Sequence, residues 1–208
     1  MRDQSETLPD WLAVSRETQQ DLQTLSARVL QWNLAVNLVS KASAAQIWTR
    51  HVLDSAQIYL MAPPDARRWV DLGAGGGFPG LVVAILARET RPDLEVVLVE
   101  SDQRKAVFLR EAARTLGLQA QVLADRIEDI APLGADVVSA RALAPLSALC
   151  GFAHRHMAAG GLALFLKGAR VADEIALARS DWHFDLTQVA SKTDPESVVL
   201  ALREIRHV

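Results

Sequence analysis

The sequence predicts an α/β fold: a mainly parallel seven-stranded sheet with helices on both faces, plus an N-terminal helical cap. Three observations carry that expectation. In the stretch Trp69–Gly80, a short apolar run (Trp69, Val70, Leu72) passes through Asp71 into a burst of glycines, followed by the apolar segment Leu81–Ala87. Strand, glycine turn and helix is how an open α/β sheet makes a ligand crevice at the carboxyl end of its first strand. Further along, short apolar runs alternate with helical segments, the pattern of parallel strands joined by crossover helices. Before about residue 60 strand alternation is missing, and the chain reads as helical.

Taken in order, Leu22, Leu25, Val29, Trp32 and Val36 recur at three- and four-residue spacing, the apolar stripe of an amphipathic helix, with Ser15 as its cap. A second helix is expected from Ser43, with Gln46 as a capping-box partner, to about Leu60. Met61-Ala62-Pro63-Pro64-Asp65 ends it, because proline cannot continue a helix, and sets a boundary between a cap (1–62) and an α/β body (63–208). Pro79 suits the first turn of the helix after the glycines. Strands are expected at Glu95–Glu100, Gln119–Leu123, Asp136–Ala140 and Leu162–Leu166, the last after a turn at Gly160-Gly161. Helices are expected at Asp102–Leu116 (cap Ser101, stop Gly117), Pro145–Met157 and Val171–Arg179. Phe184–Val189 and Ser197–Arg203 are strands with no helix between them, so an antiparallel hairpin is expected at one edge.

Composition narrows the function. Half of the 208 residues are hydrophobic and the net charge is −3, enough for a sizeable core and no bulk attraction to nucleic acid; any RNA contact would come from a local patch. The longest apolar runs fall far short of the ~18 residues a membrane span requires. The polar start, Met1–Glu6, carries no apolar region of a secretory signal. The lone Cys150 excludes an internal disulfide and fits a reducing cytoplasm; beside Leu146, Leu149 and Phe152 it reads as a core thiol. With one cysteine and no paired histidine–carboxylate cluster, no metal is expected. No G-x-x-x-x-G-K-[ST] motif exists, which excludes a P-loop ATPase.

Gly75-Gly76-Gly77-Phe78-Pro79-Gly80 matches G-x-G-x-x-G, the dinucleotide pattern, and alone that is a weak signal. Counted from the strand end, the frame is instead Asp71-Leu72-Gly73-Ala74-Gly75, with an acid two residues before the first glycine. A carboxylate there would repel a pyrophosphate and suit a cofactor with a cationic head, such as the ammonium of S-adenosylmethionine, with Gly73 and Gly75 letting the backbone pass beneath it. The competing reading of Asp71 is a helix-capping carboxylate. Glu100 closes the second strand, where an acid accepts ribose hydroxyls in nicotinamide enzymes and methyltransferases alike. Asp125-Arg126-Ile127-Glu128 follows the third strand, at the adenine edge, where Ile127 would pack on the base and Glu128 or main-chain N–H groups would meet its nitrogens; an exposed turn tied by Arg126 and Glu128 is the alternative.

With these residues in place the chain resembles a family, the bacterial 16S rRNA guanine-N7 methyltransferase G, also called glucose-inhibited division protein B. The resemblance runs over Trp32-Asn33, Asn37–Ser40, Arg50–Ser55, Asp71–Gly80, Val99-Glu100-Ser101, Lys105, Phe108-Leu109, Arg126-Ile127-Glu128, Ser139–Ala142 and Leu166-Lys167-Gly168. It implies the class I, Rossmann-like methyltransferase fold and methyl transfer from S-adenosylmethionine to N7 of a guanine in 16S rRNA. It also implies cofactor contacts at Gly73, Phe78, Ile127, Glu128 and Arg141. Fewer lysines than the family often carries leave the RNA-facing surface less defined.

Guanine N7 is an unprotonated acceptor on the Hoogsteen edge, so methyl transfer to it needs no general base. Catalysis then rests on alignment, and no catalytic acid or base is assigned. Arg141, closing the fourth strand, would hold the cofactor side and offer donors to guanine O6 or a phosphate. Lys167, closing the fifth, and Arg50, on the cap, are the other substrate candidates; a solvated strand end and a cap-to-body tie are their alternatives. His51 reads as a hydrogen-bonded structural histidine, and its neighbours Arg50 and Asp54 as residues that would fix the cap against the body. A cytoplasmic monomer acting on the 30S subunit is expected. The rivals are a nicotinamide-dependent oxidoreductase and a ribosome-assembly or RNA-binding protein without turnover.

Overall fold

The computed structural model describes residues 7–208. The polar start Met1–Glu6, on which the expectation of no secretory signal rests, lies outside the described residues. Seven strands form one sheet in the order β3-β2-β1-β4-β5-β7-β6: β1 (Arg68–Leu72), β2 (Glu95–Val99), β3 (Ala120–Leu123), β4 (Ala135–Arg141), β5 (Met157–Lys167), β6 (Trp182–Ala190) and β7 (Val198–His207). The first five pair in parallel, while β7 lies antiparallel between β5 and β6, the hairpin expected at the edge. The strand order reverses between β1 and β4, so their carboxyl ends part and leave a crevice.

Side chains alternate across the sheet. Trp69, Val96, Leu98, Val137 and Leu164 face a core shared with α1 (Arg16–Trp32), α3 (Asp54–Tyr59), α4 (Gly80–Thr90) and α5 (Gln103–Thr115). Val70, Leu72, Val97, Val138 and Phe165 face the other core, closed by α6 (Leu146–His156) and α7 (Val171–Ala178). Helices thus cover both faces, and the N-terminal helices pack with α4 and α5 on one of them.

Ser15 caps α1 as expected: its Oγ accepts from Thr18 N–H at 3.1 Å while its own N–H and O–H donate to Glu89 at the end of α4. Ser15→Ala is expected to cost about 1 kcal/mol, read as a thermal midpoint lower by about 2–4 °C.

Five local expectations change. Ser40, not Ser43, caps the next helix, accepting from Ser43 N–H, and that helix, α2 (Lys41–Ala44), is a single turn. A π-helical turn, Trp48–Leu53, then runs into α3, so the expected continuous helix is broken; π turns collect at functional sites, and this one presents the Arg50 carbonyl and His51 to Arg141. Asp102, not Ser101, caps α5, because its carboxylate reaches both Arg104 N–H and Lys105 N–H. Gly160 and Gly161 lie inside β5, where the pairing with β4 slips from Ala135↔Met157 to Val137↔Leu162: the extra residues form a bulge. Pro79 stands at the cap position, one residue before α4, joined to Phe78 by a cis peptide.

Candidate functional site

At the carboxyl ends of β1, β2 and β4 the chain encloses a cleft of about 1280 Å³, larger than the roughly 300–1,000 Å³ of ordinary small-molecule pockets. Its floor is the β1–α4 loop. Gly73, Gly75 and Gly77 there have φ of +66°, +51° and +87°, backbone that side-chain-bearing residues rarely adopt. The loop is held from β2: Ala74 N–H donates to the Val99 carbonyl (3.0 Å) and Gly75 N–H to Glu100 Oε2 (2.8 Å). The other oxygen of Glu100 accepts from Asp102 N–H (2.8 Å), so one nearly buried carboxylate ties the glycine loop to the start of α5 and still borders the cleft.

Gly73, Gly75, Phe78, Glu100, Ile127, Glu128, Arg141, Lys167 and Arg50 all line this one cleft. Ile127 is buried, and its carbonyl is 2.9 Å from Nε2 of His156, a buried histidine at the end of α6 whose titration burial pushes down. Glu128 is exposed; its own backbone N–H, with Arg126 at 3.3 Å, holds its carboxylate below the usual range. Phe78 stacks beside His51, ring centroids 4.9 Å apart, with the Arg141 guanidinium 6.0 Å from its centroid. Ala142, directly after Arg141, has φ +50°, a strained conformation for alanine at the rim of the site.

Asp71 is the exception. It does not border the cleft and is fully buried. Its Oδ2 accepts from Gly80 N–H (2.9 Å) and its Oδ1 from Ser139 Oγ (2.7 Å), which in turn accepts from Trp69 Nε1 (2.8 Å). The reason is strand parity: Asp71 shares the sheet face of Trp69, under α4, and therefore caps that helix instead of meeting a ligand. The direct carboxylate–ammonium contact drawn from the sequence is replaced by the capping reading. Burial raises Asp71 to about 7 against the lowering effect of its two hydrogen bonds.

The substrate candidates are also partnered. Lys167 Nζ donates to Glu174 (2.6 Å) and to the Ala144 carbonyl (2.8 Å), so it braces the rim instead of standing free for a phosphate. Arg50 is exposed and pairs with Asp194 at 3.3 Å. Arg141 is bound by the Arg50 carbonyl, by His51 Nδ1 and by Asp54 at 3.5 Å, all from the N-terminal helices; burial, then Arg50, lowers its pKa to about 10. Among the cations lining the cleft, Lys105 and Arg170 have no ion-pair partner among the described residues. Asp54, read from the sequence only as a tie between the N-terminal helices and the body, meets the β6–β7 loop, which the sequence did not single out: Ser191, Thr193 and Asp194 there reach across to Asp54, Gln57 and Arg50. Pro195 and its polar neighbours are a turn signal, but no local pattern says which distant segment a turn will touch.

Comparisons agree with this architecture. A methyltransferase structure from Geobacter sulfurreducens superposes with a TM-score of 0.57 at 15% identity, covering 92% of each chain. A SAM-dependent O-methyltransferase from Thermotoga maritima gives 0.55 at 13% identity, covering 74% of this chain and 65% of that one. At these identities the likeness establishes the class I, Rossmann-like fold. In sequence, a Cereibacter sphaeroides protein named ribosomal RNA small subunit methyltransferase G is 52% identical over 197 residues, 95% of this chain and 96% of its own. The protein of the same name from Parvibaculum lavamentivorans is 51% identical over 202 residues, 96% of this chain and 88% of its own. The family model GidB, described as rRNA small subunit methyltransferase G, matches residues 18–199. With a glycine-floored crevice at the parted ends of β1 and β4 and this match over nearly its whole length, the chain belongs to the rRNA small subunit methyltransferase G family.

Proposed function

We propose that the protein methylates N7 of a guanine in 16S rRNA, presented on the 30S subunit, as a cytoplasmic monomer without a metal. Family membership makes it a small-subunit rRNA methyltransferase that uses S-adenosylmethionine, and the nicotinamide and non-catalytic readings give way to it. The observation that carries the site assignment is the convergence of Gly75, Glu100 and Ile127 on one crevice.

The residues fit the cofactor. Backbone at Gly73 and Gly75 offers a floor without side chains, the carboxylate of Glu100 has lone pairs left for two ribose hydroxyls, and Ile127 supplies an apolar wall for adenine. The aminoacyl end would lie over the loop that Asp71 braces from below. Bound there, S-adenosylmethionine supplies an electrophilic methyl group on a sulfonium. The chain's own residues align the acceptor: Phe78, His51 and Arg141 stand together in the lining of the cleft, and Arg141 offers donors to guanine. Lys105 and Arg170 are the cations free to meet phosphates, and Arg50 is exposed enough to exchange Asp194 for one. Among the described residues no helix is long and apolar enough to cross a membrane, and no cluster of metal-ligating side chains is present.

Labelled S-adenosylmethionine with unmethylated 30S particles tests the reading: incorporation at a single guanine, mapped as N7-methylguanosine, is expected, and no incorporation overturns it. Glu100→Ala is expected to weaken S-adenosylmethionine binding by about 10- to 100-fold in calorimetry, as the loss of charged hydrogen bonds worth roughly 1.5–3 kcal/mol.

A further inference from the structure

Methyl transfer to a ring nitrogen calls for no acid or base, yet a carboxylate is held in the wall of the cleft. Asp54, at the start of α3, has a side chain only 13% exposed, and its Oδ2 is 3.5 Å from Nη1 of Arg141, itself 17% exposed. Asp54 Oδ1 accepts from Gln57 Nε2 (2.7 Å), Thr193 Oγ1 (3.0 Å) and Ser191 Oγ (3.3 Å). The other partners of Arg141 are the neutral Arg50 carbonyl and His51 Nδ1, which must be unprotonated because a guanidinium has no acceptor to offer. Arg50, the nearby second cation, is paired with Asp194. Asp54 is therefore the carboxylate within ion-pair reach of Arg141.

The charge matters because of what the reaction does to the base. As the N7 lone pair forms the new N–CH3 bond, the electrons of the S–CH3 bond stay on sulfur, which becomes a neutral thioether, and the positive charge passes to the purine. A bare guanidinium in the same water-poor wall opposes that transfer. We propose that Asp54 is a positioning and charge-compensating residue: it cancels the charge of Arg141, so that Arg141 can hold the base while positive charge develops on the purine. This inference rests on the N7 reading above.

A purely structural role would reside in Oδ1 and its three donors, which asparagine retains. Compensation requires the charge. Burial raises Asp54 to about 6, partly offset by the Thr193, Ser191 and Gln57 hydrogen bonds, with Asp194 adding to the rise. The charge is thus present above about pH 6 and lost below it. The groups facing Asp54 are Arg141, Arg50 and His51 from the cap and β4, and Asp194 from the β6–β7 loop. The ammonium of Lys192, on the same loop, sits instead over Trp11.

The test compares wild type, Asp54→Asn, Arg141→Gln and the double variant on 30S particles. Asp54→Asn is expected to lower kcat about tenfold at pH 7.5, with S-adenosylmethionine affinity within about twofold of wild type, and to abolish an acidic limb near pH 6. In the Arg141→Gln background the Asp54→Asn penalty is expected to vanish, because the charge to be cancelled is gone. Without cofactor, Asp54→Asn is expected to weaken binding of N7-methylated particles more than unmethylated ones. An equal penalty in both Arg141 backgrounds, an acidic limb that survives in Asp54→Asn, or equal effects on methylated and unmethylated particles would overturn the inference while leaving the methyltransferase reading intact. Failure of the wild type to methylate N7 would overturn that reading and this inference with it.

Discussion

Gly80→Ala is expected to be among the most damaging changes that add one carbon to this protein. A Cβ at residue 80 would stand 2.1 Å from Leu98 Cδ2, 2.8 Å from Asp71 Oδ2 and 2.9 Å from Asp71 Cβ. None of these neighbours has room to retreat. Leu98 is fully buried in a central strand, and Asp71 is fixed by Ser139 and by the Gly80 N–H itself. To admit a methyl group, α4 must lift from β1 and β2, losing the cap on its first N–H and the packing of Leu81, Val83 and Ile85. Overpacking of this kind costs roughly 1–3 kcal/mol and sometimes more, and so close an approach belongs at the upper end. The expected result is a urea midpoint far below wild type, with S-adenosylmethionine binding lost because the start of α4 carries the glycine floor. A variant with unchanged stability would show that the α4–β1 contact is looser than its geometry.

Asp71→Ala attacks the same joint from the strand side. It leaves the Gly80 N–H and the Ser139 hydroxyl buried without their acceptor, while Trp69 Nε1 keeps its bond to Ser139. Two orphaned polar groups, less the relief of no longer burying a carboxylate, are expected to cost roughly 2–4 kcal/mol in equilibrium unfolding. The pH dependence has a definite sign. Asp71 titrates at about 7 in the folded protein and near 3.8 when unfolded, so between these values the folded state binds the extra proton. Stability from this group therefore falls as pH rises from about 4 to 7. Asp71→Asn keeps an acceptor for Gly80 without the titration, so its deficit against wild type should shrink across that interval. A deficit constant from pH 4 to 8 would show that Asp71 does not titrate in the folded state.

How far the fold was legible follows from where its information lies. The apolar run at Trp69–Leu72, the alternation of later strands and helices, and the Ser15 cap are local patterns, and the structure keeps them. Misplaced boundaries occur where a neighbouring polar group competed: Ser40 against Ser43, Asp102 against Ser101. Each contest turns on backbone geometry that several residues allow equally. The helical segment after Ser43 failed for another reason, since its π turn satisfies Arg141, a residue some ninety positions away.

The site divides in the same way. Glycines at 73, 75 and 77 and the acid at 100 announce a nucleotide-like crevice, because only backbone able to adopt positive φ makes that floor and strand ends converge on it. Residue order sufficed for the family, the crevice and its members Gly73, Gly75, Phe78, Glu100, Ile127 and Arg141. Only the folded chain decided that Asp71 turns under α4, that Lys167 is claimed by Glu174, and that Asp54 stands beside Arg141. A side chain's direction depends on strand parity and on which distant group reaches it first, and those are properties of packing between segments far apart in the chain.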